Sequence, residues 1–152
     1  MMKRTTWLMV GMIPLALLAA CGPYKMHGRV VEGDVSYIAV VDKEDPRLKG
    51  VGLEGVLLRA QIQPGTLGAK TVSQETSDMA GNFSLPVDEW GAGLIDMESG
   101  VLARRRGFKS AEGTFRLPSS GRRVLIVLAP GQDPPGWMDE RESVDETLRR
   151  FE

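Results

Sequence analysis

Glu75-Thr76-Ser77-Asp78-Met79-Ala80-Gly81-Asn82-Phe83-Ser84-Leu85-Pro86-Val87 is the stretch whose reading decides the fold. It begins as a polar strand end, passes through an Asp-x-x-Gly turn, and leaves as a second strand. Phe83, Leu85 and Val87 alternate with Asn82 and Ser84, the period of a strand with one buried face. Asp78 is placed to accept a hydrogen bond from backbone two residues on, and Gly81 to supply the positive φ of the turn. Working outward, apolar alternation recurs in short runs bounded by Gly, Pro and Asp. Gly28–Glu32, Val35–Val41, Leu53–Gln63, Thr71–Thr76, Val101–Arg105, Gly113–Pro118 and Arg123–Ala129 all have this form. In the Leu53–Gln63 run, Val56, Leu58, Ala60 and Ile62 share one face, and polar residues dominate the other. Arg123–Ala129 is apolar on both faces from Val124 onward, the pattern of a central strand covered on both sides. Seven to eight short strands without a convincing central helix predict an all-β sandwich.

The chain has 152 residues, 42% hydrophobic and 26% charged, enough for one compact domain. Its formal charge of -1 gives no general attraction to nucleic acid. Residues 1–20 carry Lys3 and Arg4 and then an apolar run from Trp7 to Ala20, the build of a secretory signal. The run ends Leu18-Ala19-Ala20-Cys21-Gly22 and resembles the lipobox of bacterial lipoproteins. The resemblance implies cleavage before Cys21 and acyl chains, palmitate among them, on what becomes the first residue. Cys21 is the chain's one cysteine, so lipidation would leave no thiol for a disulfide or a metal. Loss of Lys3 and Arg4 would take the formal charge from -1 to -3. Gly22, in place of an inner-membrane Asp signal, points to the outer membrane in preference to the inner one. Residues 21–27 read as a lipidated tether whose last six residues reach roughly 20 Å when extended. The domain is therefore expected close over a bilayer, in the cell envelope.

Taken in order, Gly28-Arg29-Val30-Val31, Leu53-Glu54-Gly55-Val56, Ser77-Asp78-x-x-Gly81-x-Phe83 and Ala103-x-x-x-Gly107-Phe108 resemble the carboxypeptidase regulatory-like domain. That family is a sandwich of transthyretin (prealbumin) type. The resemblance covers residues 28–130 and implies structural roles for Asp78, Gly81, Phe83 and Gly107. It departs from the family pattern in the longer stretches Asp42–Gly52 and Asp88–Gly100. It implies a non-enzymatic binding or structural module. Enzymes of related fold use two His, an Arg and a C-terminal Tyr-Arg-Gly-Ser, or iron on two His and two Tyr. One histidine, His27, meets neither requirement.

Beyond Pro130 the composition changes. Residues 131–152 read as a Pro/Gly linker and a short helix, with capping-box spacing at Ser143–Glu146. Val144, Leu148 and Phe151 form one apolar stripe, suited to packing on the domain or into a partner's groove.

Few residues invite chemistry. His27 reads first as a linker or strand-edge residue, for want of orienting partners. Asp42, Glu44 and Asp45 could ring calcium, but Lys43 interrupts them and a solvated loop is preferred. No cofactor or metal is expected. Arg104, Arg105, Arg106, Lys109, Arg116, Arg122 and Arg123 would form a basic patch if the last strands were neighbours. The plainer reading is charge that protects a sheet edge. Trp90 and Trp137 could stack on a sugar, or simply pack. The expected partners are a membrane, through Cys21, and an envelope protein. An envelope glycan such as peptidoglycan is the alternative, a hydrolase the remotest reading, and no nucleic acid is expected.

Overall fold

A computed structural model describes residues 23–89, 92 and 97–134. Eight strands are described: β1 (Tyr24–Glu32), β2 (Tyr37–Asp42), β3 (Leu57–Ile62), β4 (Lys70–Thr76), β5 (Asn82–Val87), β6 (Glu98–Arg104), β7 (Ala111–Arg116) and β8 (Arg122–Leu128). They form two four-stranded sheets, one ordered β2-β8-β1-β5 and the other β4-β3-β6-β7. The first sheet is mixed: β1 runs parallel to β8 and antiparallel to β5. The chain is an all-β sandwich. The helix expected near Val144, Leu148 and Phe151 lies outside the described residues.

The alternation read from the sequence is the alternation that packs. Leu58, Ala60 and Ile62 from β3 and Phe83, Leu85 and Val87 from β5 are buried in the central core. Met26 and Val30 of β1 join them with Val124, Ile126 and Leu128 of β8. Each fully buried side chain of this size contributes about 1.5–3 kcal/mol of transfer free energy. Gly28 is the one β1 position on this face without a side chain. A Cβ there would stand 2.1 Å from the Val124 carbonyl oxygen and 2.4 Å from the Phe83 ring, so the glycine is the slot that admits Phe83.

Three strands start three or more residues away from expectation, while the starts of β2 and β7 shift by two. β1 starts at Tyr24, not at Gly28, so four residues assigned to the tether are in the ladder. Met26 explains the difference: it is fully buried opposite Leu85 and draws its neighbours into pairing. β3 starts at Leu57, not at Leu53, because Gly55 turns the chain with φ +69. Leu53 and Val56 are still buried on either side of that turn. β6 starts three residues earlier than Val101, with Ser99 and Gly100 both buried.

Candidate functional site

Asp78 makes the organising turn as its chemistry demands. Its carboxylate accepts from the Ala80 N–H at 2.9 Å and the Asn82 N–H at 2.7 Å, and its carbonyl accepts from Gly81 N–H at 2.9 Å. Gly81 has φ +83, and a Cβ there would lie 2.3 Å from the Val30 carbonyl oxygen. The turn is pressed against β1 and Gly52. Val30 N–H donates to the Gly81 carbonyl, and a Cβ on Gly52 would stand 1.9 Å from the Ala80 carbonyl oxygen.

Ser77 is the residue here whose role the sequence did not reveal. It is 4% exposed, its Oγ donates to the Leu53 carbonyl, and it accepts from Val56 N–H at 2.9 Å. One hydroxyl thus satisfies both sides of the break before β3, where no ladder partner serves those groups. Gly107, with φ +85, plays the simpler part of closing the turn that sends Phe108 back onto the core.

The outer face of the first sheet carries the most unusual surface. Outward positions line up in rows across β2, β8, β1 and β5. Tyr37, Val127 and Val31 form one row, and Ala39, Leu125, Arg29 and Asn82 the next. Val41 and Arg123 begin the third, where His27 and Ser84 continue it. The first row and the β2–β8 half of the second are apolar. Val31, Val41, Leu125 and Val127 make a second buried cluster, with Leu48 from the 42–52 connection packed on it. That connection is held by Glu32 N–H to the Val51 carbonyl, Leu53 N–H to the Val30 carbonyl and a short 3₁₀ turn, Pro46–Lys49. The acidic residues of this segment are solvated, as the sequence suggests, with Asp42 and Glu44 exposed; what the sequence did not show is that Leu48 packs down and makes the segment a cover.

Where the cover ends, a cleft of about 390 Å³ opens between it and the strands. His27, Arg29, Lys43, Asn82 and Arg123 line it, with Leu48 as its apolar wall, and none of its lining side chains is a carboxylate. Arg29 is held in place from both sides, Nε donating to the Ala80 carbonyl at 2.9 Å and Nη1 to the Leu48 carbonyl at 2.6 Å. The signal for this cluster was present: Lys25, His27 and Arg29 alternate on β1. It was hidden by reading residues 21–27 as tether.

The acidic residues of the cover are engaged with cations. Asp42 meets Arg122 at 2.8 Å, Asp45 meets Arg47 at 2.8 Å, and Glu44 lies 3.6 Å from Lys43. Hydrogen bonds from the Arg47 side chain, and then its backbone N–H, hold the Asp45 carboxyl below its ordinary value. The same pairing, together with the Tyr37 phenol, raises the Arg47 guanidinium. Burial raises the phenol of Tyr24, whose hydroxyl donates to the Pro118 carbonyl. Among the described residues no three His, Cys, Asp or Glu side chains gather as a metal site.

The seven basic residues of the last third do not form one patch. Arg104, Arg105, Arg106 and Lys109 surround the β6–β7 turn, with the Arg105 guanidinium 5.2 Å above the Phe108 ring. Arg116, Arg122 and Arg123 stand at the other end, because β7 returns antiparallel to β6. The seven residues of β6 separate the groups by roughly 20 Å. Trp90, Trp137, Val144, Leu148 and Phe151 lie outside the described residues, as does Cys21.

No protein-family model matches the chain, and no curated protein does. Among solved structures it has a likeness to a 9R-lipoxygenase from Cyanothece PCC8801, at 15% identity and a TM-score of 0.34. The likeness covers 72% of this chain and 16% of the lipoxygenase.

Proposed function

We propose that the protein is a lipid-anchored module of the cell envelope, without catalytic activity, whose sandwich serves as an interaction or structural unit beside the membrane. The carboxypeptidase regulatory-like resemblance of residues 28–130 belongs to the same reading. The observation that carries it is the shortness of the link. β1 begins at Tyr24, three residues after the lipobox cysteine Cys21, so an extended connection spans only roughly 10 Å. A domain tethered that closely meets partners at the membrane surface. The single imidazole supports the non-enzymatic part of the reading. His27 stands exposed among Arg29, Lys43 and Arg123, with no carboxylate in the cleft lining to orient it as a base.

The test is made in intact cells. Metabolic labelling with an alkyne fatty acid is expected to mark the wild type and to fail on Cys21→Ser. Cross-linking of the lipidated protein, read by mass spectrometry, is expected to capture a reproducible envelope partner. Absence of label on the wild type overturns the anchor. Labelled protein that captures no partner overturns the interaction role.

A further inference from the structure

We propose that the cleft on the outer face of the first sheet binds the phosphate of an anionic membrane lipid headgroup. The chemistry comes from the side chains that converge there. Arg29 and Arg123 offer planar guanidinium groups and Lys43 an ammonium, the groups that recognise phosphate oxygens. Arg29 is fixed by its bonds to two carbonyls, and Arg123 Nη1 is fixed by the Ser120 and Arg122 carbonyls. Such a site loses little side-chain entropy on binding. The nearby carboxylates of Asp42 and Asp45 are turned to Arg122 and Arg47, which leaves Glu44, 3.6 Å from Lys43, as the acid beside the lining cations. A volume of about 390 Å³ holds a phosphodiester with its glycerol, and Leu48 supplies an apolar wall.

Position selects the source of the phosphate. His27 is six residues from Cys21, and Lys25 faces outward one strand repeat nearer the anchor. The β3–β4 connection lies at this same end of the sandwich. Gln63 N–H donates to the Glu98 carbonyl, Leu117 N–H to the Met97 carbonyl, and the Tyr24 hydroxyl to the Pro118 carbonyl. At the tip of that connection Leu67 is 96% exposed. The bare apolar tip thus lies at the end of the sandwich where β1 begins, and the basic cleft opens on the outer face from His27, three residues along that strand. The choice of a membrane source rests on the lipid-anchored reading; the anion site itself does not.

The test uses the protein purified from membranes in a neutral maltoside detergent, with its mass recording whether Cys21 carries lipid. His27 is the chain's only histidine, so its imidazole NMR signals are an unambiguous reporter in the cleft. Dihexanoyl phosphatidylglycerol is expected to move them saturably at fixed pH. Lys43→Gln and Arg123→Gln are each expected to weaken binding about fivefold, the scale of a lost surface charge pair. Arg104→Gln, at the far end, is expected to leave it unchanged. No saturable shift, or affinity unchanged from the wild type in both Lys43→Gln and Arg123→Gln, overturns the site. Inorganic phosphate binding as tightly as the lipid overturns the membrane source and leaves a free-phosphate site. Dihexanoyl phosphatidylcholine binding as tightly overturns recognition of net negative charge. A mass without lipid on Cys21, together with a normal shift, overturns the anchor and spares the site.

Discussion

Both faces of β8 are buried from Val124 to Leu128, and by different means. On the inner face Val124, Ile126 and Leu128 meet the opposite sheet, inside a core to which both sheets contribute. On the outer face Leu125 and Val127 meet Val31, Val41 and one connecting segment, through Leu48. A sheet is a rigid partner whose strands are tied by ladders at every residue. A segment held by a few backbone bonds is a partner that can move into a void. The comparison teaches that burial alone does not measure the cost of a substitution. What matters is whether the surroundings can collapse around it.

The largest expected effect lies on the inner face. Ile126→Ala should cost about 2–5 kcal/mol, read from the urea midpoint at unchanged slope, because neither sheet can close the cavity. Leu125→Ala removes a side chain of equal size on the outer face and should cost distinctly less. Equal losses would show that the 42–52 cover is as rigid as a sheet. Gly81→Ala comes next and acts on the link between the two regions, since the 78–81 turn presses on both β1 and Gly52. Its positive φ and the 2.3 Å approach to the Val30 oxygen predict a loss of about 3 kcal/mol. A loss within about 0.5 kcal/mol would break the view that the turn is clamped.

Ser77→Ala should cost about 2 kcal/mol, because the Leu53 carbonyl and the Val56 N–H both lose their buried partner. Ser77→Thr keeps the hydroxyl and should recover part of the loss if its methyl is accommodated. The smallest effect sharpens the description of the cover. Asp45 is held below its ordinary value of 3.8, so its contribution is present above that value and fades as the pH falls through the lower folded one. Asp45→Asn should remove this acid dependence. Urea midpoints at about pH 6 and about pH 3 should then differ slightly less in the variant than in the wild type. An unchanged difference would show that the Asp45–Arg47 pair does not hold the 3₁₀ turn.

Much of the sandwich was legible because its rules are local. Asn82–Val87 was read with the bounds it has, since Asp78, Gly81 and the apolar alternation act within a few residues. The burial of both faces of β8 followed from its composition. The start of β1 was misplaced because a single apolar residue, Met26, separates Tyr24 from Gly28 in the inward row, and one residue is too little to show a period. The candidate site was less legible. Arg104 and Arg106 were grouped with Arg116, Arg122 and Arg123 by nearness in sequence, but the antiparallel return places the two sets at opposite ends. Arg29, Lys43 and Arg123 were scattered in sequence, and strand order brought them together.

By itself, the amino-acid sequence determined the lipobox-like start, the β character, the strand periods and the turn at Asp78–Gly81. Each depends on residues within hydrogen-bonding or pleat distance along the chain. Only the tertiary structure decided that β1 lies parallel to β8, that Ser77 bonds Leu53 and Val56, and that residues 42–52 cover one half of a sheet and leave a basic cleft beside the other. Those pairings join positions as far apart in sequence as Gly28 and Val124, and no local preference encodes them. They arise because burying both faces of β8 at once requires β1, β2 and the cover to arrive together.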